Sequence, residues 1–252
     1  MNYKIIYEDN DIIVCHKMAG LPVQTGKIGV QDLVSELKNY LVKSQAAKAQ
    51  DKKAMKQPYL GVVHRLDQPV EGVILFAKNQ AAAGALSKQL TTGIMNKCYY
   101  AVAAGAPENE NAKGVLTDYL IKDNKTNSSS VVSKELVMGG NIPKDAKESK
   151  LEYSFIKKAG DGDKTYALYD IHLLTGRHHQ IRVQMANAGM PLLGDRKYGG
   201  EISEKISTKL NVKNVALCAY KLEFTHPVTK KKMEFKIVPE GKIFEQFLPE
   251  LL

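Results

Sequence analysis

Short apolar runs separated by polar turn-formers fill the first ninety residues, and their spacing predicts the elements. Lys4–Tyr7 and Ile12–Cys15 read as strands, and Glu8, Asp9, Asn10 and Asp11 between them form a turn. The chain therefore opens as a β-hairpin, with Gly20 and Pro22 punctuating its exit. From Val30 to Tyr40 the residues Val30, Leu33, Val34 and Leu37 recur at helical spacing. The stretch that follows, to Lys56, carries Lys43, Lys48, Lys52, Lys53 and Lys56 against Asp51 and reads as an exposed basic arm, either a solvated loop or a contact for phosphates. Val62-Val63 and Val73–Ala77 predict buried strands on either side of a polar loop holding His64, Asp67 and Pro69, and Ala81–Leu90 has helical composition.

Farther along, Lys97–Gly105, Gly114–Ile121, Val131–Met138, Leu151–Lys157 and Thr165–Leu174 are rich in Val, Ile, Tyr and Leu and read as strands in antiparallel pairs. The polar segments Lys122–Ser130 and Gly139–Lys150 read as mobile connections with little chemistry. Arg177–Ala188 predicts a helix with Ile181, Met185 and Ala188 on one face, Thr175 as its N-cap and Gly189 as its terminator. Asn214–Phe224 and Lys232–Val238 are expected to close the fold around the turn His226–Thr229, with a terminal helix from Lys242. No internal repeat or break in composition marks a second independent domain, so residues 1–252 are expected to form one domain or two closely fused subdomains.

Composition narrows the function classes. A chain of 252 residues, 44% hydrophobic, can bury a core large enough for an enzyme. A net charge of +9 suits a polyanion partner, although a well-solvated basic surface accounts for it equally. Cys15, Cys98 and Cys218 lie far apart with no CxxC pair, which argues against a disulfide framework or a zinc site and for a reducing cytoplasm. The start of the chain has no secretory pattern and no run of 18 apolar residues occurs, so a soluble, unexported protein with no membrane partner is expected.

Three constellations carry candidate chemistry. In the first, His64-Arg65-Leu66-Asp67-Gln68-Pro69 puts an imidazole, a guanidinium and a carboxylate on a tight loop between apolar strands. Asp67 is there either a functional acid or the cap of a turn before Pro69. In the second, Thr175-Gly176-Arg177-His178-His179-Gln180-Ile181-Arg182 loads the start of a predicted helix with cations. That arrangement is unfavourable at a positive helix end unless a phosphate or carboxylate docks there. Helical spacing would place Arg182 on the face of His178 and His179, and would point the adjacent imidazoles about 100° apart, too far to share a metal ion. The third, Pro191–Gly199, is a Gly-bounded loop with paired charges that reads as a structural turn.

Taken in order, these segments resemble the RluA-type pseudouridine synthases: the hairpin through Tyr7–Val23, His64–Lys78 with its HRLD and GVILFAK, the K-x-Y-x-A strand Lys97–Ala101, TGRHHQIR at Thr175–Arg182, and Gly189–Gly199. The resemblance implies an α+β fold with a large, mostly antiparallel central sheet flanked by helices and loops, and a catalytic cleft across the middle. It implies Asp67 as the catalytic aspartate, Tyr99 against the target base, Arg182 paired with the aspartate, and Arg65 filling the space left by a flipped base. His64, Arg65, Arg177, His179 and Gln180 are the residues expected against RNA. The chain departs from the family pattern at Gln68-Pro69-Val70-Glu71, at His178 where Thr or Ser is usual, and at Gln184 where His is usual; these changes bear on the RNA target more than on the chemistry. Because the hairpin starts almost at residue 1, the form lacking a small N-terminal S4-like RNA-binding domain is expected.

The reaction so implied isomerises uridine in structured ribosomal or transfer RNA. It adds and removes no atoms, consistent with a sequence that has no dinucleotide fingerprint, P-loop or metal-ligand spacing, and no cofactor is expected. Reaching carbon 5 requires base flipping, for which Tyr99 offers a stacking plane. Two rival readings are a non-catalytic RNA-binding or ribosome-assembly factor on the same fold, and a metal-dependent hydrolase using His178, His179 and Asp195. A monomer is the default expectation.

Overall fold

The structure, a computed structural model, describes residues 2–27, 29–48 and 57–251. The chain divides into two compact units. The first comprises residues 1–95 and 221–237, the second residues 96–220 and 238–252, so the division falls inside one strand.

In the first unit, β1 (Tyr3–Glu8) and β2 (Ile12–Lys17) form the expected opening hairpin. β2 pairs with β4 (Glu71–Ala77), which β3 (Gly61–Val62) also joins, all antiparallel. Both β2 and β4 are buried along their full length. Ile12 and Val14 face the same cluster as Val73, Leu75 and Ala77, together with Ala82 and Leu86 of helix α2 (Gln80–Thr91) and Leu222 and Phe224. Residues at alternate positions of a strand share a face, and burying each large aliphatic side chain contributes about 1.5–3 kcal/mol. Asn79 caps α2 by accepting the Ala82 amide, its carboxamide oxygen satisfying one of the open N–H groups of the first turn.

Helix α1 spans Leu33–Lys48. It begins later than the apolar spacing predicts, leaving Val30 outside it and 46% exposed, and it runs eight residues beyond Tyr40 into the stretch read as a basic arm. The rest of that arm, with Lys52, Lys53 and Lys56, lies outside the described residues.

The second unit carries β5 (Asn96–Ala104), β6 (Lys113–Asp123), β7 (Ser128–Val131), β8 (Lys147–Ala159) and β9 (Tyr166–Leu173) in the order β5-β9-β8-β6-β7, paired antiparallel. β10 (Leu217–Thr225) is the strand that the division crosses, and its later half pairs with β11 (Lys232–Lys236) in the first unit. Val131–Met138 is not one strand: β7 ends at Val131, and Ser133 caps a short helix, α3 (Lys134–Met138), through the Leu136 amide. The polar segment Lys122–Ser130 is largely ordered into the β6–β7 hairpin. Two further helices follow, α4 (Gln180–Asn187) and α5 (Gly200–Lys209), the second unassigned by the sequence pattern. A 3-10 turn at Lys242–Phe247 leads into α6 (Leu248–Leu251), as the expected terminal helix. Among the described residues no helix is long and apolar enough to cross a membrane.

Candidate functional site

In the first unit the HRLD loop runs from β3 to β4, and its anchor is a residue absent from the sequence reading, Lys17. This last residue of β2 has no exposed surface, and its ammonium donates to the carbonyls of Leu21 at 2.8 Å, Met18 at 3.1 Å and Gln68 at 3.2 Å. Gly20 adds a second stitch, its amide donating to the Gln68 carbonyl at 2.8 Å while the Gln68 carboxamide donates back to the Gly20 carbonyl at 3.0 Å. The hairpin exit is thus sewn to the residue after Asp67, and the Val70 amide closes a turn on the Asp67 carbonyl at 3.0 Å. Burial pushes the Lys17 amine down from 10.5 to about 8, opposed by the negative charges of Asp67 and Glu71. Glu71 is itself buried and bonded to His16 at 2.8 Å.

The neighbours of Asp67 are held as firmly. His64 Nε2 accepts the Leu75 amide at 3.2 Å, so in the neutral ring the proton sits on Nδ1. Arg65 is exposed and donates to the Gln24 side chain at 2.7 Å. Asp67 is partly exposed, on a loop that three backbone and side-chain anchors keep in place.

A third cluster in this unit, Asp9, Asp11 and His226, brings its ligand-type atoms within 4.8 Å of one another. Its hydrogen bonds argue against a metal. His226 Nδ1 accepts the amides of Val228 and Thr229 at 3.2 and 3.0 Å, so its proton lies on Nε2 and is donated to Asp9 at 2.9 Å, leaving no ring lone pair for an ion. Asp9 also accepts from Tyr7 and from the amides of Asp11 and Ile12. These donors outweigh the upward push of burial and hold its carboxyl below the ordinary range. The cluster clamps the closing turn to the opening hairpin.

In the second unit Tyr99 lies on β5, 5% exposed, opposite Ile171. Two residues before it, Lys97 is buried, and its ammonium lies 3.1 Å from where a Cβ on Gly176 would stand, which places the TGRHHQIR segment directly beside that lysine. Burial also lowers the Lys97 pKa.

The segment itself differs from the predicted helix start. α4 begins only at Gln180, and its N-cap is His179, in the left-handed region at φ +53°. Thr175 is not the cap; its hydroxyl accepts the Lys150 amide at 2.8 Å and donates to Gln180 Oε1 at 2.8 Å. Gln180 Oε1 also accepts the Arg177 amide, and its nitrogen donates to the Lys150 carbonyl and to Gln184 Oε1. Gln180 was expected against RNA; at 3% exposure, with both ends of its amide engaged inside the protein, it braces the loop. Arg177, exposed, directs Nε to the Glu148 carbonyl at 3.0 Å. Ile181 and Met185 are buried on α4 as expected, and Gly189 keeps its expected part, following the helix end at φ +78°.

The left-handed turn at His179 also overturns the expected divergence of the two imidazoles. They stack, with centroids 3.7 Å apart and planes 26° from parallel. His178 Nδ1 meets Ser129 Oγ at 2.9 Å, and His179 Nδ1 meets the Tyr198 hydroxyl at 2.8 Å.

Arg182 is buried and makes a two-pronged ion pair with Asp195, Nε to Oδ2 at 2.7 Å and Nη2 to Oδ1 at 2.8 Å. Asp195 additionally accepts the amides of Lys197 and Tyr198, and the Arg182 guanidinium lies 5.1 Å from the Tyr198 ring centre. Burial raises the Asp195 pKa, but Arg182 and these amides more than offset it and hold the carboxyl below its ordinary 3.8. The loop read as a structural turn therefore carries the charge that fixes Arg182. Its Gly194, at φ +72°, has no room for a side chain, since a Cβ would fall 1.9 Å from the Asn214 carbonyl.

Lys17, Tyr198 and Ser129 are thus site-forming residues to which the sequence reading assigned no role, and Asp195, named there only as a ligand in the hydrolase reading, instead holds Arg182. For Asp195 and Tyr198 a signal existed, their place in the G-D-x-x-Y-G segment. For Ser129 none did.

Residues 11–187 match the model of the RNA pseudouridylate synthase family. The chain is 32% identical over 235 residues to an uncharacterized RNA pseudouridine synthase of Aquifex aeolicus, covering 92% of this chain and 68% of that protein. It is 30% identical over 254 residues to the dual-specificity RNA pseudouridine synthase RluA of Vibrio parahaemolyticus, covering 98% and 89%. With the uncharacterized RNA pseudouridine synthase YhcT of Bacillus subtilis it shares 30% identity over 227 residues, 89% of this chain but 65% of that protein, so it spans under two thirds of that relative's length. In structure it superposes on human RNA Pseudouridylate Synthase Domain Containing 1 with a TM-score of 0.71 at 20% identity, covering 100% of this chain and 86% of the other, a likeness of fold. A match of this extent, reaching from β2 through Asp67, Tyr99 and Arg182, means that the chain belongs to the RNA pseudouridylate synthase family, with RluA-type relatives and an α+β pseudouridine synthase fold.

Proposed function

We propose that this chain isomerises particular uridines in structured RNA to pseudouridine, with Asp67 as the catalytic carboxylate. The observation that supports the reading is the family match over residues 11–187, which contains Asp67, Tyr99 and Arg182 in one stretch. The net charge of +9 suits a ribosomal or transfer RNA partner.

In the proposed reaction the bond between N1 of uracil and C1′ of the ribose breaks, the base turns, and C5 bonds to C1′. The proton leaves C5 and N1 gains one, so atoms balance without a cofactor. Asp67 acts as an ionised nucleophile or base, with Arg182 as its proposed cationic partner. Tyr99 supplies the plane against which the extruded base rests, and Arg65 fills the gap it leaves. His64, Arg177 and His179 are the proposed RNA contacts.

The experiment is to map pseudouridines in RNA from cells with and without the gene, then restore either the wild-type chain or Asp67→Asn. The expected result is one or a few sites that vanish on deletion and return only with the wild type. Restoration by Asp67→Asn would refute the assignment.

A further inference from the structure

Lys97 stands on β5 two residues before Tyr99, and alternate positions of a strand share a face. It is 8% exposed, yet among the described residues its ammonium meets no hydrogen-bond acceptor and no carboxylate. Lys17, buried as deeply, shows the contrast: it has three carbonyls to donate to, and two nearby acids oppose the fall of its pKa. For Lys97 burial alone acts, and no negative charge pulls the pKa back. The nitrogen still reaches an opening, because among the described residues the only fully enclosed side-chain polar atom lacking a hydrogen bond is Oε2 of Glu250.

Gly176 borders that opening, and its two neighbours are pinned. The Thr175 hydroxyl accepts the Lys150 amide and donates to Gln180 Oε1, and the Arg177 amide donates to the same oxygen at 2.9 Å. A Cβ on Gly176 would lie 3.1 Å from the Lys97 ammonium and would meet nothing else within 4 Å. Gly176 is not among the glycines of positive φ, so its backbone would accept alanine. The one group that a side chain there would cover is the ammonium. Arg177, exposed and next in the chain, adds a second positive charge at the same place.

A buried cation without a partner destabilises the free protein and is relieved when an anion reaches it. We propose that the Lys97 ammonium seats an RNA phosphate flanking the target nucleotide, and that the missing side chain at Gly176 is the gap through which this phosphate approaches. A base resting against Tyr99 carries its sugar and phosphates off to one side, and Lys97 lies about 6.6 Å along the strand from Tyr99, two residues of extended chain. Phosphate suits the place better than a carbonyl of the base, because Arg177 beside Gly176 draws the polyanion to that side. The choice of a phosphate next to the target rests on the function proposed above; the anion seat itself does not.

The test sets stability against binding. Lys97→Met keeps the aliphatic stem and removes the charge, so it should raise the urea midpoint of the free protein while RNA binding falls. On an RNA oligonucleotide carrying the mapped uridine, Lys97→Met should raise KM about tenfold with kcat within about threefold, and should reduce the slope of log affinity against log salt by about one. A neutral methylphosphonate at the phosphate 5′ or 3′ to that uridine should weaken the wild type by a similar factor at one of the two positions and Lys97→Met hardly further, since both remove the same contact. Gly176→Ala, which keeps the charge and covers it, should raise KM likewise. Without any RNA, inorganic phosphate should shift the Lys97 ε-13C signal of the lysine-labelled full chain, assigned by its loss in Lys97→Met, and should shift it less in Gly176→Ala. A lowered midpoint or a failure of Lys97→Met to fold would make the lysine a structural part and overturn the proposal. So would an unchanged KM, fully additive effects at both phosphates, or a Lys97 signal that inorganic phosphate leaves in place. If no uridine maps to this gene, the functional reading fails, and the midpoint and the phosphate titration alone uphold or overturn the anion seat.

Discussion

Lys17 predicts that stability and activity respond to alkali in opposite directions. The side chain has no exposed surface and its pKa is lowered to about 8 from 10.5, so the folded protein holds that proton less tightly than the unfolded chain. Between those two values the unfolded state binds more protons, and stability rises with pH at up to about 1.4 kcal/mol per unit. The cost of the buried charge is fully present below pH 8 and is relieved as pH climbs toward 10.5. Integrated from pH 7.5 to 9.5, the gain is roughly 2 kcal/mol. Lys17→Met removes the titrating group and keeps the aliphatic stem, so the wild-type minus variant difference isolates it. Urea unfolding of both proteins at several pH values, followed by far-UV circular dichroism, measures that difference. Parallel pH profiles would refute the reasoning.

Activity should move the other way. The ammonium offers three protons to three carbonyls, one of them on Gln68 beside Asp67, and the neutral amine has only two. Turnover should therefore fall above about pH 8 even as the fold gains stability, and Lys17→Met should show a reduced turnover without that alkaline limb. A wild-type rate that stays level to pH 9.5 would mean that the lysine does not hold the catalytic loop in place.

Three other outcomes are expected. Asp67→Asn should abolish pseudouridine formation while leaving the unfolding midpoint within about 0.5 kcal/mol of wild type, as befits a partly exposed loop residue; single-turnover assay and urea titration check both. Asp195→Asn turns an amide toward the buried Arg182 guanidinium and should cost about 3–5 kcal/mol, with Arg182→Met/Asp195→Leu less damaged than the single change. Because Asp195 is held below 3.8, its stabilisation is complete above that pH and is lost as pH falls through the lower folded value, so Asp195→Asn should also flatten the acid limb of the stability profile. His226→Ala removes one donor from Asp9 and leaves the Val228 and Thr229 amides without their acceptor, and should cost about 2–3 kcal/mol by thermal or urea unfolding; a loss under about 0.5 kcal/mol would show that the clamp is idle.

The sequence made the strands of both units legible wherever one physical signal dominated. Ile12–Cys15 and Val73–Ala77 are apolar beyond doubt, and the polar HRLD loop between apolar runs marks itself. It misled where two signals competed. Thr175 before a cationic run looks like a helix cap, but the Gln180 side chain takes the role of organising that loop and the backbone turns left-handed at His179. Val131–Met138 is apolar enough for a strand, but Ser133 interrupts it with a cap. Gly200–Lys209 gives almost no apolar stripe because Ser203 and Ser207 occupy its buried face, and their hydroxyls are satisfied by the Leu192 and Ser203 carbonyls. Lys17 was hidden for the opposite reason, since a lysine at a strand end is ordinarily taken to reach solvent.

The two departures within the helix motif acquire a common explanation from the strands beside it. Gln184, with no exposed surface, donates to Asp118 on β6 at 2.7 Å and to the Ser149 carbonyl at 3.2 Å, while its oxygen accepts from Gln180. His178 is met by Ser129 on β7. In both cases the replaced side chain bonds to a residue that no motif contains, on a strand paired with its neighbour in the β6–β7 hairpin. A buried amide without partners costs about 1–3 kcal/mol, so Gln184 is tolerable only where such strands supply the acceptors. The β6–β7 hairpin, whose second half composition alone would dismiss as a connection, is therefore the complement of the motif's own changes, and differences in RNA target among relatives should be sought in the hairpin and the motif together.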